Sequence, residues 1–156
     1  MKNVRIMRNK MAAQNIDASK VNVSNIIDIS LLDNQGNRRS LTDLKGKVVM
    51  LDFHVFGSNG STKRIMEMRE LYNKYHDRGF EIYQVAFDPD EHFWKTQTAA
   101  LPWISVRDPQ GLQSQNLAAY NVSSIPTFFL IDRNNEVKKR DSQITDIDAE
   151  INALLN

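Results

Sequence analysis

The chain has 156 residues, of which 41% are hydrophobic, and its 20 basic and 19 acidic residues give a net charge of +1. This length favours one compact domain, and the balanced charge excludes the strong positive field typical of nucleic-acid or membrane-surface binding. No apolar run approaches the roughly 20 residues that a membrane-spanning helix needs. We therefore expect no nucleic-acid partner and no membrane span.

The chain contains no cysteine, and this excludes more functions than any other feature of its composition. The chain can form no disulfide, bind no metal through thiolate and use no thiol nucleophile. The acidic run Asp88, Asp90 and Glu91, followed by His92, contains possible metal ligands, but its spacing is more typical of a helix start. We predict no metal site and no cofactor.

The first 24 residues are predicted to form an N-terminal arm or linker. They are basic at the start (Lys2, Arg5, Arg8 and Lys10) and lack the continuous apolar stretch of about 7–15 residues that a signal peptide requires. Residues 25–156 are predicted to form one domain.

That domain is predicted to begin with a hairpin, in which strands at 26–31 and 38–41 flank a turn at 33–36. Residues 48–54 are mostly apolar, which is typical of a strand covered on both faces. After a glycine-containing loop, apolar residues at three- and four-residue spacing predict a helix over 65–75 that ends near Gly79.

The remaining segments alternate between strand and helix patterns. The predicted order is a strand at 80–87, a helix opening at 88–91, a strand at 101–107, a helix at 112–120, a hairpin at 127–132 and 136–139, and a closing helix at 144–155. Parallel β-α-β units followed by an antiparallel hairpin indicate an α/β fold with a mixed central sheet and helices on both faces.

Three segments carry a resemblance to a known family. Residues 52–61 read Asp-Phe-His-Val-Phe-Gly-Ser-Asn-Gly-Ser, in register with the pattern Asp-Phe-Trp-Ala-x-Trp-Cys-x-x-Cys. Residues 124–132 resemble a strand preceded by a cis-proline, and residues 69–82 resemble the helix that leads into the second core strand. From about residue 25 onward the chain thus resembles thioredoxin-fold thiol-disulfide oxidoreductases of the TlpA/ResA and AhpC/TSA kind.

The resemblance implies a thioredoxin-like fold, with a mixed central β-sheet flanked by helices and an extra N-terminal β-hairpin. It also implies site residues. Ser58 and Ser61 occupy the positions of the two reactive cysteines, Pro126 that of the cis-proline, and Asp52 that of the buried acid below the reactive loop. Serine forms neither a disulfide nor a sulfenic acid, so we expect a redox-inactive chain.

The loop departs from the family pattern at other positions too. His54 and Gly57 replace tryptophans, and Gly60 replaces the usual proline. Drift across the whole loop favours natural loss of the cysteines over their engineered replacement, and both origins stay open.

The two serines have simpler interpretations than catalysis. The context of Ser58 is not a nucleophile elbow, and His54 lies four residues away on a strand that rises about 3.3 Å per residue. We therefore predict that Ser58 is not a hydrolytic nucleophile. Ser61 is predicted to be the N-cap of the following helix.

Three functions remain open. The first is an oxidoreductase lineage without its thiols, and the second is a binding module for a peptide or protein in the groove between the Ser58 loop and Pro126. Aromatic residues at Trp94, Trp103 and Tyr120 could flank such a groove, but core packing is the favoured interpretation. The third function is an accessory domain of a longer exported protein. The resemblance implies export to the periplasm or cell envelope.

Overall fold

The computed structural model of the chain describes residues 26–156, so the predicted arm at 1–24 lies outside the described residues. In this described part, seven strands form two sheets: β1 Ser30–Leu32, β2 Arg38–Ser40, β3 Val48–His54, β4 Phe80–Ala86, β5 Ile104–Arg107, β6 Thr127–Ile131 and β7 Val137–Arg140. Four α-helices of the same part connect and flank them: α1 Ser61–Tyr75, α2 Glu91–Thr98, α3 Gln115–Ala119 and α4 Ile147–Leu155.

The central sheet has the strand order β5-β4-β3-β6-β7. Strands β3, β4 and β5 are parallel, whereas β6 is antiparallel to both β3 and β7. The mixed sheet predicted from the sequence is therefore confirmed. Strands β1 and β2 form a separate antiparallel pair, which confirms the N-terminal hairpin, although β1 begins at Ser30 rather than at residue 26.

Strand β3 is buried along its whole length because cores lie on both of its faces. Successive side chains alternate between the two faces of a strand. Val49, Leu51 and Phe53 join the core beneath the hairpin and α3, and Val48 and Met50 join the core beneath α1 and α4. The same alternation directs the next two side chains of the second face, Asp52 and His54, toward α1.

Helix α1 ends as its sequence predicts. Its apolar residues Met68, Leu71, Tyr72 and Tyr75 face the sheet, a short 3-10 turn follows, and Gly79 reverses the chain with φ 104°. A positive φ is easily adopted by glycine and costly for other residues, so this position ends the helix and starts β4.

The structure corrects two helix predictions. The segment 112–120 is not one helix: a 3-10 turn at Gly111–Gln113 precedes α3, and Ser114 separates them because its hydroxyl caps α3 by accepting the N–H of Asn116. Helix α4 begins at Ile147 rather than at residue 144, because Asp146 caps it by accepting the N–H of Ala149.

The three aromatic residues considered for a groove are core residues. Trp94, Trp103 and Tyr120 are 2%, 6% and 5% exposed, and each packs within an apolar cluster. Core packing is therefore confirmed for all three.

Candidate functional site

The candidate site lies where β3 ends and α1 begins. Residues 55–60 connect the two elements, and Ser58, Asn59 and Gly60 are exposed to solvent. The peptide bond between Ile125 and Pro126 is cis, as the resemblance implied. Ile125 and Ser58 line the same groove, so the reactive-loop position and the residue before Pro126 are brought together.

The two serines make different contacts. The Ser58 side chain is exposed and its hydroxyl donates to the carbonyl of Val55 at 2.7 Å. The Ser61 side chain is buried and its Oγ lies 2.8 Å from Nε2 of His54. Each hydroxyl at a cysteine position is thus engaged within the protein.

The predicted capping role of Ser61 is wrong. The N-cap residue of α1 is Gly60, with φ 85°, and no side chain among residues 26–156 caps the helix. Ser61 is the first residue of the helix, and its hydroxyl turns inward to His54. The proline usual at position 60 in the family could not adopt this conformation, because its ring fixes φ near −65°.

Asp52 is fully buried and anchors a polar network below the loop. Arg64 of α1 donates to its Oδ1 through Nε at 3.1 Å and also through Nη2, and Gln84 of β4 donates to its Oδ2 at 3.0 Å. The guanidinium supplies the counter-charge that a buried carboxylate needs. Asp52 therefore joins α1 to two strands of the sheet.

His54 stands between this acid and Ser61. Its Nδ1 lies 3.6 Å from Oδ2 of Asp52, which is too long for a hydrogen bond, and has no hydrogen-bond partner among the described residues. Burial lowers the pKa of His54. The negative charge of Asp52 raises that pKa and the positive charge of Arg64 lowers it further, and burial has the larger effect. Burial favours the neutral ring, and the nearby carboxylate favours the tautomer with its proton on Nδ1, which leaves Nε2 to accept the Ser61 hydroxyl.

This arrangement was missed from the sequence because the connection folds back. The distance along an extended strand separates His54 from Ser58, and it is no guide to Ser61. Instead the chain turns within residues 55–60 and returns Ser61 to the strand end. The alternation that puts Asp52 and His54 on the α1 face was the signal that could have located the pair.

The order Ser61, His54, Asp52 resembles the nucleophile, base and acid of hydrolases, but its environment favours a structural role. Ser61 is 8% exposed, and Asp52 already holds Arg64 and Gln84. The groove that Ser58 lines does not include Ser61 in its lining. The network binds the start of α1 to β3.

A second acid holds the loop from the other side. Asp88, which is 3% exposed, accepts the backbone N–H of Phe56 at 2.8 Å and of Gly57 at 3.0 Å. The acidic run at 88–91 was predicted to start a helix, and it does: Asp90 caps α2 by accepting the N–H of Phe93. Asp88 holds the loop instead of the helix.

The profile of the AhpC/TSA family matches residues 23–140. The chain belongs to this family. Among curated relatives, the thiol-disulfide oxidoreductase ResA of Geobacillus kaustophilus is 36% identical over 116 residues, which cover 72% of this chain and 64% of that protein. ResA of Bacillus subtilis is 33% identical over 113 residues, covering 70% of this chain and 60% of that protein. The match therefore spans less than two thirds of these relatives.

Solved structures agree with this membership. A thioredoxin-like protein from Bacteroides vulgatus is 49% identical, with a TM-score of 0.79 over 96% of this chain and 95% of that chain. A thiol:disulfide interchange protein DsbE from Chlorobium tepidum is 26% identical, with a TM-score of 0.75 over 88% of this chain and 100% of that chain. This AhpC/TSA family member has the thioredoxin-like fold.

The chain cannot carry out thiol chemistry. Exchange and peroxide reduction both begin with a thiolate, and the chain contains no cysteine. It is a redox-inactive member of a redoxin family. None of the helices between residues 26 and 156 combines the length and apolarity that crossing a bilayer needs.

Proposed function

We propose that the chain is a non-catalytic binding module that holds an extended, uncharged segment of a partner protein beside the Ser58 loop. The observation that carries this proposal is a groove of about 660 Å³ with no charged side chain in its lining. The lining residues are Val55, Ser58, Leu112, Gln113, Ser114, Leu117, Ala118, Val122, Ser123, Ser124 and Ile125.

The groove offers apolar surface together with hydroxyl groups. Leu112 is 71% exposed, and Leu117 and Ile125 contribute to the same apolar lining. Covering such surface contributes about 25 cal/mol per Å² of apolar area removed from water. Because no lining residue is charged, a charged segment would lose hydration here without gaining an ion pair.

The backbone before Pro126 adds a second kind of contact. Within the described residues, no hydrogen bond engages the backbone N–H or C=O of Ile125. An extended peptide can pair its own backbone with such groups, which gives affinity, while alternate side chains enter pockets and give specificity. This edge favours an extended segment over a helix.

The proposal is tested with labelled pentapeptides whose central residues are apolar, acidic or basic, measured by fluorescence anisotropy. We expect saturable binding of the apolar peptide and at least about tenfold weaker binding of both charged peptides, because a desolvated charge has no partner in the groove. Leu112→Asp should weaken apolar-peptide binding by a similar factor. Met66→Asp is the matched control, since Met66 is 63% exposed on α1 and lies outside the groove. Equal affinity for all three peptides would contradict the proposal.

We further infer an exported location, in the periplasm or cell envelope, from the resemblance to redoxins of the TlpA/ResA kind. An accessory role within a longer exported protein fits the same location. Fractionation of cells that produce the native gene product, followed by protease treatment after the outer envelope alone has been permeabilised, tests this. Protection from the protease equal to that of a cytoplasmic marker would contradict export.

A further inference from the structure

A second cavity, of about 310 Å³, lies between the N-terminal hairpin and α2. It shares no lining residue with the groove beside Ser58. Its walls include Leu31, Leu32 and Arg38 of the hairpin, Trp94 and Lys95 of α2, and Arg107 at the end of β5. Its volume lies at the lower end of the range for small-molecule sites.

Both acidic residues of this cavity have a basic partner. Asp33 lies 3.5 Å from Arg39 and also accepts backbone N–H groups of its own turn. Glu91 lies 3.4 Å from Lys95, one turn along α2. The negative charges of the lining are thus neutralised locally.

The two arginines of the cavity are not neutralised in this way. Arg107 donates to the carbonyls of Asp88 and Pro89, both at 2.9 Å, and Arg38 donates to the carbonyl and hydroxyl of Ser30. Among residues 26–156, neither guanidinium pairs with a carboxylate. Each guanidinium has five N–H donors, so donors remain for a bound anion.

The rest of the lining is apolar, with one unused donor. Leu32 is 48% exposed, and Trp94 is only 2% exposed. The indole N–H of Trp94 has no acceptor within the described part of the chain. The indole N–H resonance of Trp94 is therefore free of a protein hydrogen bond and can report on a molecule that packs against the ring.

We propose that this cavity binds a small organic anion that has a carboxylate on an apolar body of a few carbons. The carboxylate pairs with Arg38 and Arg107, and the apolar body packs against Leu32 and Trp94. Guanidinium binds carboxylate and phosphate alike, but the apolar wall favours a carboxylate that carries a hydrocarbon chain over inorganic phosphate. This site is independent of peptide binding beside Ser58.

The test uses the full ¹⁵N-labelled chain and hexanoate as the probe, at constant ionic strength. We expect hexanoate to shift the indole N–H resonance of Trp94 in a saturable manner. Trp103 provides an internal control, because its indole N–H already donates to Gln84 at 2.9 Å and should not move. Hexanol, which lacks the charge, and inorganic phosphate, which lacks the apolar body, should give no saturable shift.

Two variants test whether the positive charge that binds hexanoate belongs to Arg38. Arg38 is exposed, so Arg38→Gln should fold normally and weaken hexanoate binding at least about fivefold. Lys63→Gln removes one positive charge from an exposed position of α1 and should leave binding unchanged. The proposal is overturned if Trp94 does not respond, if hexanol shifts it as hexanoate does, or if Arg38→Gln binds as tightly as the unmodified chain.

A dipeptide distinguishes the two possible sources of the carboxylate, a peptide C-terminus and a free carboxylic acid. Acetyl-alanyl-leucine with a free carboxylate is compared with its amide in the same titration. Binding of the acid but not of the amide assigns the site to peptide C-termini, whereas binding of hexanoate alone assigns it to free carboxylic acids. Failure of both anions overturns the proposal and leaves the pentapeptide experiment unaffected.

Discussion

Ser61 lies 2.8 Å from His54, through a hydrogen bond that joins the first residue of α1 to the last residue of β3. Both side chains are buried. Ser61→Ala should lower the free energy of unfolding by about 1–3 kcal/mol, because Nε2 of His54 loses its partner away from water. Denaturant unfolding measures the change.

Ser58→Ala is the matched control. Its hydroxyl is exposed and can exchange its bond to Val55 for water, so the loss should stay within about 0.5 kcal/mol. Equal losses for the two serines would contradict the burial argument.

The buried imidazole should also make stability depend on pH. Burial lowers the pKa of His54 in the folded chain, so the unfolded chain binds the proton more readily. The stability that His54 contributes is therefore present above about pH 6.5 and is lost as the pH falls toward the folded-state pKa, by at most about 1.4 kcal/mol per pH unit.

Unfolding curves at pH 7, 6 and 5 should show this loss, and His54→Gln should reduce the slope. The same substitution at exposed His92 should leave the slope unchanged. An opposite slope difference, with His54→Gln losing more stability on acidification than the unmodified chain, would show that the sign is wrong.

The left-handed conformation of Gly60 predicts another asymmetry in the loop. Gly60→Ala should destabilise the fold by about 1–2 kcal/mol, because φ 85° forces Cβ toward the following carbonyl. The strain is local, since no heavy atom of the described residues other than 59–61 lies within 4 Å of the added Cβ.

Gly57→Ala is the control within the same loop. Its φ is not positive, and the added Cβ would meet Asp88 at 3.6 Å, an ordinary contact. The change should be within about 0.5 kcal/mol. Thermal unfolding of the two variants measures both losses of stability. A larger loss of stability in Gly57→Ala than in Gly60→Ala would refute the assignment of strain to Gly60.

Restoring two thiols tests whether the loop keeps the geometry of its family. The backbone N–H of Ser61 donates to the carbonyl of Ser58 at 3.3 Å, so the two positions lie across one tight turn. The double variant Ser58→Cys with Ser61→Cys should close a disulfide on mild oxidation, provided that the Cβ atoms come within about 3.5–4.5 Å.

Mass spectrometry should show the loss of two hydrogens in the double variant and not in either single variant as a monomer. Two free thiols under every oxidant would mean that the inward rotation of residue 61 toward His54 prevents closure.

The sequence predicts the fold much better than it predicts the site. The apolar run that became β3 and the turn at Gly79 are local signals, and both matched the structure. The partner of Ser61 depends on how a six-residue connection folds back, and the partners of Asp88 lie 31 and 32 residues away along the chain. Local propensity carries no information on such contacts. The interruption at Ser114 was missed because a capping hydroxyl outweighed weak helical periodicity.

The contact between Ser61 and His54 makes the family's residues at these two positions costly to introduce one at a time. A thiol restored at 61 would meet an imidazole where the family pattern has tryptophan, while a tryptophan restored at 54 would remove the partner of the serine. Each reversion alone gives up a buried hydrogen bond, so both intermediates are less stable than either end point. Neither residue of the pair can therefore be changed to the family's residue without a loss of stability. Thiol chemistry at this loop therefore requires coordinated changes at positions 54 and 61 and not a single substitution.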